Sequence, residues 1–491
     1  MNPRQKVLTA AIASGAAMLV AAQLPITAQG NGKTVTMFAG PYSPLPQTSV
    51  GGQAARTSVA LRELADRFEK QTGNKVQFID PAINGADGNV DRDRWSAFIQ
   101  SSIAAGNAPD VMYVPQGPDQ SGKGWFRELD DLYAKPNPYI KDNKRWSDTF
   151  FPKVLDTKAG LGGKQYVLGY AANYPYIIIG TFYNKALMAK AGITNPPKNW
   201  EEWMKQLARI KAAKIEAIAP FAAESKTGSV WPMWSALIPA FTAHLNAKAD
   251  LDKDGTVTQE ENAKAVKSGL ASMNDPHYRA AFLQYKRQLG YYLKGWNAAD
   301  VPAAWNQGKV AQKYGGFWEI YGERSNTQRK FEWGFLPTLP VTKETSPLVT
   351  WTPKLAPTGK ARLEGISGTA HDYAIIDSSV KRNQNLEAVA AWLQFISTPE
   401  ANEFVINENP DTIPAIRGAT PDPIWNQLSD LAVPDYTGAG VYPFSLDQEQ
   451  QTNLQREIVL WALGQKNSSA FFAAVQKDMV RAADKFLAPK K

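Results

Sequence analysis

The densest run of potential metal-binding side chains in this 491-residue chain is Asp250-Leu251-Asp252-Lys253-Asp254-Gly255-Thr256-Val257-Thr258-Gln259-Glu260-Glu261. Asp250, Asp252 and Asp254 put carboxylates at alternate positions, and Glu261 adds a fourth at the twelfth. Gly255 allows a sharp turn, Thr256 offers its backbone carbonyl, and Thr258 can act through a water. Val257 is the apolar residue that pins the turn. A hard cation that takes about six to eight oxygen ligands needs this spacing, which fits an EF-hand loop at every ligand position. Four carboxylates crowded without a cation repel one another. The sequence therefore predicts a Ca²⁺ site, with a chance acidic turn as the competing reading. One loop without a partner loop points to a structural ion and not a paired sensor. Helical patterns flank it, over 236–245 and 260–272.

Catalytic chemistry finds less support. The chain has no G-x-S-x-G elbow, no H-E-x-x-H, no phosphate loop and no G-x-G-x-x-G. Its three histidines, His244, His277 and His371, are dispersed in sequence and read as structural. The adjacent acids Asp130-Asp131 and Glu201-Glu202 fall at helix starts or faces, where the macrodipole or solvation accounts for them. Zero cysteines rule out disulfides and a lipid-modified cysteine. The expectation is a protein that is not an enzyme, with no catalytic residues.

The other conspicuous side chains are aromatic, 15 Trp and 18 Tyr. They can fill a core, or stack on flat apolar rings edged with hydroxyls. Several are concentrated beside loops: Tyr170, Tyr174 and Tyr176 around Asn173 and Pro175, Trp231 and Trp234 around Pro232, and Trp318 after Gly315-Gly316. Trp231 and Trp234 lie three apart on one helix face, so packing of at least one into a core is expected.

The elements that must position these residues alternate between strand and helix. Strand patterns fall at 34–38, 75–79, 107–114, 217–221 and 371–376. Helical periodicity covers 56–71, 95–105, 125–133, 203–213, 278–293 and 385–395, and a tail over 450–487 broken at Gly464. Ligands in α/β sheets sit outside the carboxyl ends of strands. Phe38 and Tyr42 after the first strand, and Gln116 and Asp119 after the third, are therefore candidate cleft residues. Loop packing and turn capping are the alternatives. Hydrophobic content of 44% supports two separate cores, and 20% charged residues exclude a disordered chain. The net charge is 54 − 46 = +8, with the basic residues scattered, which argues against a nucleic-acid partner. Residues 1–28 read as a secretory signal: Arg4 and Lys6, an apolar run over 7–22, and a cleavage site ending at Ala28. No later stretch has the roughly 18 consecutive apolar residues of a membrane span.

The order of certain phrases resembles the sugar-binding extracellular solute-binding proteins of ABC importers, the family that includes maltose-binding protein. These are LADRFEKQTGNKVQF (64–78), AGNAPDV (105–111), the Gly163–Asn184 stretch followed by an AG-I-x-x-PP knuckle and NWEE (199–202), AWNQGKVA (304–311) and Ile413-Pro414-Ala415. The resemblance covers about residues 33 to 487. The loop 39–52 and the stretch 341–362 depart from it. It implies a two-lobed α/β periplasmic-binding-protein fold (type II), with lobes joined by hinge crossings and the EF-hand-like loop as an insertion. The implied organisation is a signal peptide at 1–28, lobe 1 at 29–168, lobe 2 at 169–357, a return to lobe 1 at 358–410, and C-terminal helices at 411–491 mainly in lobe 2. The resemblance further implies that Trp318, Trp231, Tyr321, Tyr174, Tyr176 and Asn173 contact a bound sugar. It implies a periplasmic monomer that delivers a carbohydrate to a permease in the inner membrane. A non-sugar solute such as iron, a polyamine or a glycerophosphodiester is the nearest alternative, and a calcium-dependent adhesion module a more distant one.

Overall fold

The computed structural model describes residues 32–46, 58–83, 92–115, 123–156, 163–173, 179–221, 230–253, 255, 257–316, 319–326, 329–353, 368–408, 410, 412–423, 425 and 440–488. The strands are β1 (Thr34–Phe38), β2 (Lys75–Phe78), β3 (Val111–Val114), β4 (Leu168–Asn173), β5 (Ile179–Asn184), β6 (Glu216–Ala219), β7 (Val310–Gly316), β8 (Trp333–Pro337), β9 (Gly368–Ile375) and β10 (Ile413–Pro414). They form two sheets. One has six strands in the order β10-β4-β9-β3-β1-β2, and the other has four in the order β6-β7-β5-β8.

Each sheet has its own core. The first collects Met37, Phe68, Val111, Tyr170, Trp146 and Trp392. The second collects Phe182, Trp203, Phe241, Phe282, Trp305, Trp461 and Phe471. Of the apolar positions read as periodic over 56–71, Leu61, Leu64, Ala65 and Phe68 form the buried inward face of the helix Ala60–Thr72, whereas Val59, just ahead of the helix, is 57% exposed. Asp110, the acid of the AGNAPDV phrase, is fully buried. It accepts hydrogen bonds from Thr36 N and Oγ1 and from Ser379, Asn383 and Asn385, at 2.8–3.0 Å. It therefore ties β1 to the helix Asp377–Asn383 and the residues after it.

The chain passes between the lobes where the resemblance implied, with shifted boundaries. β4 continues to Asn173 in the first sheet, past the boundary drawn at 168, and β5 opens the second sheet at Ile179. Val349 still packs in the second core, and Gly368 begins β9 in the first sheet. The segment drawn from 411 into lobe 2 begins in lobe 1 instead. Ile413 and Pro414 pair with β4, and Trp425 packs into the first core. From Val441 on, the chain belongs to the second core, including the helices Gln448–Ala462 and Ser468–Leu487. Gly464 separates these two at a φ of +73°, where glycine is favoured.

Two predicted helices come out differently. Of 125–133, only Asp130–Tyr133 is helical. Phe126 bridges Ile376, Arg127 N donates to the Ile375 carbonyl, and Leu129 N donates to Gln165, so these backbone groups extend a strand edge. The region 236–245 is one wide turn (Met233–Leu237), a short α-helix (Ile238–Thr242) and a 3-10 turn (Ala243–Leu245). Pro239 has no N–H to carry a regular ladder through this point. Among the described residues, no helix is long and apolar enough to cross a membrane.

Candidate functional site

Strand register brings the candidate positions to one edge of each sheet. In the first sheet, β1 is parallel to β2 and β3, while β9 is antiparallel to both β3 and β4. The carboxyl ends of β1, β3 and β4, at Phe38, Val114 and Asn173, therefore lie on one edge with Gly368 at the start of β9. In the second sheet, β6 is parallel to β7, and β5 is antiparallel to both β7 and β8. Its corresponding edge holds the ends of β6, β7 and β8 and the start of β5, where Ile179 pairs with Gly316 and Gly180 with Pro337. Asn173 and Ile179 are six residues apart, which extended chain spans in at most roughly 20 Å. The two edges are therefore near neighbours.

This places the attachment points of nearly all the predicted ligand residues. Gln116 and Asp119 follow the end of β3, Tyr174 and Tyr176 lie between β4 and β5, and Trp318 follows the end of β7. All five lie outside the described residues, as does the side chain of Asn173 at the end of β4. Tyr321 lies in the helix Ile320–Ser325, just past Trp318, and its side chain is likewise outside the description. Trp231 is half-buried and stands edge-on to Trp234, with ring centroids 5.6 Å apart and planes at 85°. Trp231 packs against the second core, while Trp234 is 38% exposed, one of the few large apolar side chains that reach solvent.

Phe38 and Tyr42 are corrections. Phe38 is 3% exposed and Tyr42 fully buried, both within the first core. The Tyr42 hydroxyl pairs with Thr412 Oγ1 at 3.0 Å, and its ring meets Tyr170 and His371 edge-on. Both residues lie at or just after the carboxyl end of β1, as the strand-end rule has them, but their rings turn inward into the core.

Between the lobes, Ile320 follows β7 of the second sheet yet is buried in the first core. Trp333 and Phe335 of β8 are partly buried against both cores. Beside them lies a charged cluster that sequence reasoning missed. The Lys313 ammonium, buried in β7, binds Glu319 at 2.5 Å and Glu323 at 2.6 Å. Arg329 also pairs with Glu323, and Trp305 Nε1 donates to Glu323 at 2.9 Å. Lys313 Nζ sits 4.8 Å from the centre of the Phe182 ring. Two cations balance two carboxylates out of water, the condition under which buried charges persist. Burial lifts Glu319 above the usual carboxylate range. Burial opposes the charge of Lys313 and Glu323 too, but their partners outweigh it, so Lys313 is raised and Glu323 lowered. A Cβ at Gly315 would come within 2.4 Å of the Glu319 carboxylate, so glycine leaves the space that this acid occupies. The cluster braces the end of β7 that leads to Trp318. Its trace in the sequence is the one charged residue of β7, Lys313.

The predicted cation loop lies in the second lobe and leads into the helix Gln259–Lys267, which packs against the helix Ser468–Leu487. Carboxylate oxygens of Asp250, Asp252 and Glu261 fall within 4.8 Å of one another. Gly255 takes a φ of +89°, as its position in the turn requires, and its N–H donates to Asp250 Oδ2 at 2.9 Å. Asp250 Oδ1 is buried without a hydrogen-bond partner. Glu261 is 6% exposed and accepts from Leu251 N at 2.5 Å, Thr258 N at 2.8 Å and Thr258 Oγ1 at 2.9 Å. It forms a reciprocal capping box with Thr258 at the start of the helix Gln259–Lys267. The Thr258 N–H and these other donors hold its carboxyl below the usual range. Asp254 and Thr256 lie outside the described residues.

The profile of the bacterial extracellular solute-binding protein family matches residues 53–403, more than two thirds of the chain. The chain belongs to this family. A binding protein of Brucella abortus (strain 2308) is 34% identical over 172 residues, which is 33% of this solute-binding protein and 35% of the relative. The match therefore spans about a third of that relative's length. Among solved structures, the GacH receptor of Streptomyces glaucescens GLA.O, solved unliganded and with acarbose, aligns with a TM-score of 0.58 at 17% identity. That alignment covers 94% of this chain and 99% of the receptor. The cyclic α-maltosyl-1,6-maltose binding protein of Arthrobacter globiformis aligns with a TM-score of 0.56 at 14% identity, over 92% and 99%. At these identities the likeness establishes the two-lobed fold.

Proposed function

We propose that this solute-binding protein captures a carbohydrate between its lobes and hands it to the membrane permease of an ABC importer. The observation that carries the reading is the juxtaposition of the two sheet edges, joined by a crossing of a few residues, with aromatic-bearing segments leading from both. A ligand gripped there contacts both lobes, so its binding energy favours closure about the crossings. The carbohydrate ligands named for GacH and for the Arthrobacter protein support the substrate class. The exposed Trp234 beside Trp231 supplies an apolar face of the kind a sugar ring stacks on. Trp318 is the stacking residue of the other segment, and Asn173, Gln116 and Asp119 bond hydroxyls. The protein works as a monomer in the periplasm after its signal is removed, and it transforms nothing.

Asp250, Asp252 and Glu261, with Asp254, Thr256 and Thr258 from the sequence pattern, would hold a structural Ca²⁺. The partnerless buried oxygen of Asp250 supports that fit, and all the donors are the hard oxygens such an ion takes. Bound there, the ion would neutralise the clustered carboxylates.

A thermal-shift and calorimetric screen of mono- and oligosaccharides tests the main reading. A ligand at about 100 times its dissociation constant adds about 2.7 kcal/mol of stability. A screen in which sugars leave the melting temperature unmoved while polyamines or iron raise it would overturn the substrate class.

A further inference from the structure

The fold brings together two histidines that are 33 residues apart in sequence (277 − 244). His244 lies on the 3-10 turn Ala243–Leu245 and His277 at the start of the helix Pro276–Leu289. Their ring centroids are 4.4 Å apart. His277 Nδ1 lies 2.9 Å from Asp275 Oδ1, and one ligand atom from each of His244, Asp275 and His277 falls within 4.8 Å of the others. We propose that His244, Asp275 and His277 form a binding site for a first-row transition metal ion, with Zn²⁺ as its representative, on the second lobe.

The donor set favours that class. Two imidazoles and one carboxylate suit zinc, copper or nickel, whereas calcium prefers an all-oxygen shell. A tetrahedral zinc with bonds of about 2.0–2.1 Å keeps its ligands about 3.3 Å apart. Closing the present spacing to that value needs a shift of at most about 1.5 Å, which the exposed His244 side chain can make. Three protein ligands leave one position for water or a donor from another molecule.

The backbones carrying these ligands are fixed in relation to each other. Thr242, two residues before His244, and Tyr278, one residue after His277, are both fully buried. Both grip Val441: its N–H donates to Thr242 Oγ1 at 3.1 Å, and its carbonyl accepts from the Tyr278 hydroxyl at 2.8 Å. Asp275 is fixed as the N-cap of its helix, accepting from His277 N at 2.7 Å. The site is thus held by groups that do not themselves bind the metal, the support that keeps a metal site in shape.

The test uses the whole protein in excess calcium, so that the acidic loop 250–261 does not compete for zinc. Isothermal titration with zinc chloride should give one equivalent bound, absent in the His244→Gln, His277→Gln double variant. Equal binding by wild type and double variant, or no binding by the wild type at up to about 0.1 mM zinc, would overturn the proposal. If the double variant does not fold, NMR of histidine-labelled wild type decides. Zinc should move the ring signals of two of the three histidines and leave His371 in place. Movement of all three or of none counts against the site.

Discussion

Glu261 makes calcium binding and loop stability separable. Its carboxylate is held by backbone and side-chain donors of Leu251 and Thr258, so the turn keeps a clasp even when the cation is removed. For a loop of this type with a dissociation constant near 10⁻⁴ M, 1 mM calcium adds RT ln(1 + 10), about 1.4 kcal/mol. A lobe of roughly 200 residues unfolds with about 0.4 kcal/mol/K of entropy, so this corresponds to a rise of about 3 °C over chelated protein. Asp252→Asn removes one carboxylate from an exposed side chain. It should leave the melting temperature in chelator within about 1 °C and, at a tenfold loss of affinity, cut the calcium increment to about 1 °C. Glu261→Gln behaves differently. It turns an amide nitrogen toward N–H donors, and an unmatched buried polar pair costs about 1–3 kcal/mol, so it should melt several degrees lower in chelator as well. Differential scanning calorimetry of the three proteins, in calcium and in chelator, measures all of these. A wild-type melting temperature indifferent to 10 mM calcium, or an Asp252→Asn increment equal to the wild-type one, would refute the reasoning.

Four further outcomes follow from the described contacts. Lys313→Met leaves two carboxylates facing Arg329 alone and should cost about 3–5 kcal/mol in urea denaturation; a loss under 1 kcal/mol would show that the cluster is not held as described. Burial raises the Asp447 carboxyl, but hydrogen bonds from Arg481, Gln450 N and Lys485 outweigh it and bring the pKa down to about 2. This depressed group stabilises the fold above its unfolded value of 3.8, and the contribution disappears as the pH falls from about 4 to about 2. After allowance for solvent screening it is on the order of 1 kcal/mol, and Asp447→Asn should flatten that part of a melting-temperature-versus-pH curve relative to wild type. Trp318→Ala should abolish sugar binding in calorimetry with the fold intact, and Trp234→Ala should weaken it about tenfold, a loss of about 1.4 kcal/mol; unchanged affinities would remove either residue from the site. Purified protein incubated with oligosaccharides should release no products by chromatography, and real turnover would mean that an active site has been overlooked.

The strands and the crossing were legible because they rest on local patterns. Gly-bounded apolar runs and the periodicity of Leu61, Leu64, Ala65 and Phe68 act over a few residues and survive tertiary packing. The shared edge of β1, β3 and β4 was legible too, because direction along a strand is carried by the chain. What the sequence could not give was orientation and convergence. Whether the ring of Tyr42 points into a cleft or a core depends on Thr412, Tyr170 and His371, and that of Phe38 meets Tyr113, all far along the chain. Phe126 to Leu129 had helical composition but found strand partners near Ile375 and Gln165. His244 and His277 looked dispersed because only the packing of Thr242 and Tyr278 around Val441 brings them side by side. The cluster around Lys313 likewise has no short-range signature.

The repeated crossings constrain how this chain can be made. β3 pairs with β9, so Tyr113 waits for Tyr373, and β4 finds β10 only at Ile413. The second core waits longer still, for Trp461, Phe471 and Met479 near the end of the chain. The first lobe therefore completes its sheet only once Ile413 is available, and the second seals its interior only with the last helix, so folding cannot proceed lobe by lobe from the amino end. Such distant pairings form slowly, because loop closure must precede the contacts that reward it. On the export route proposed above, that delay keeps the second lobe open until the last helix has crossed the membrane.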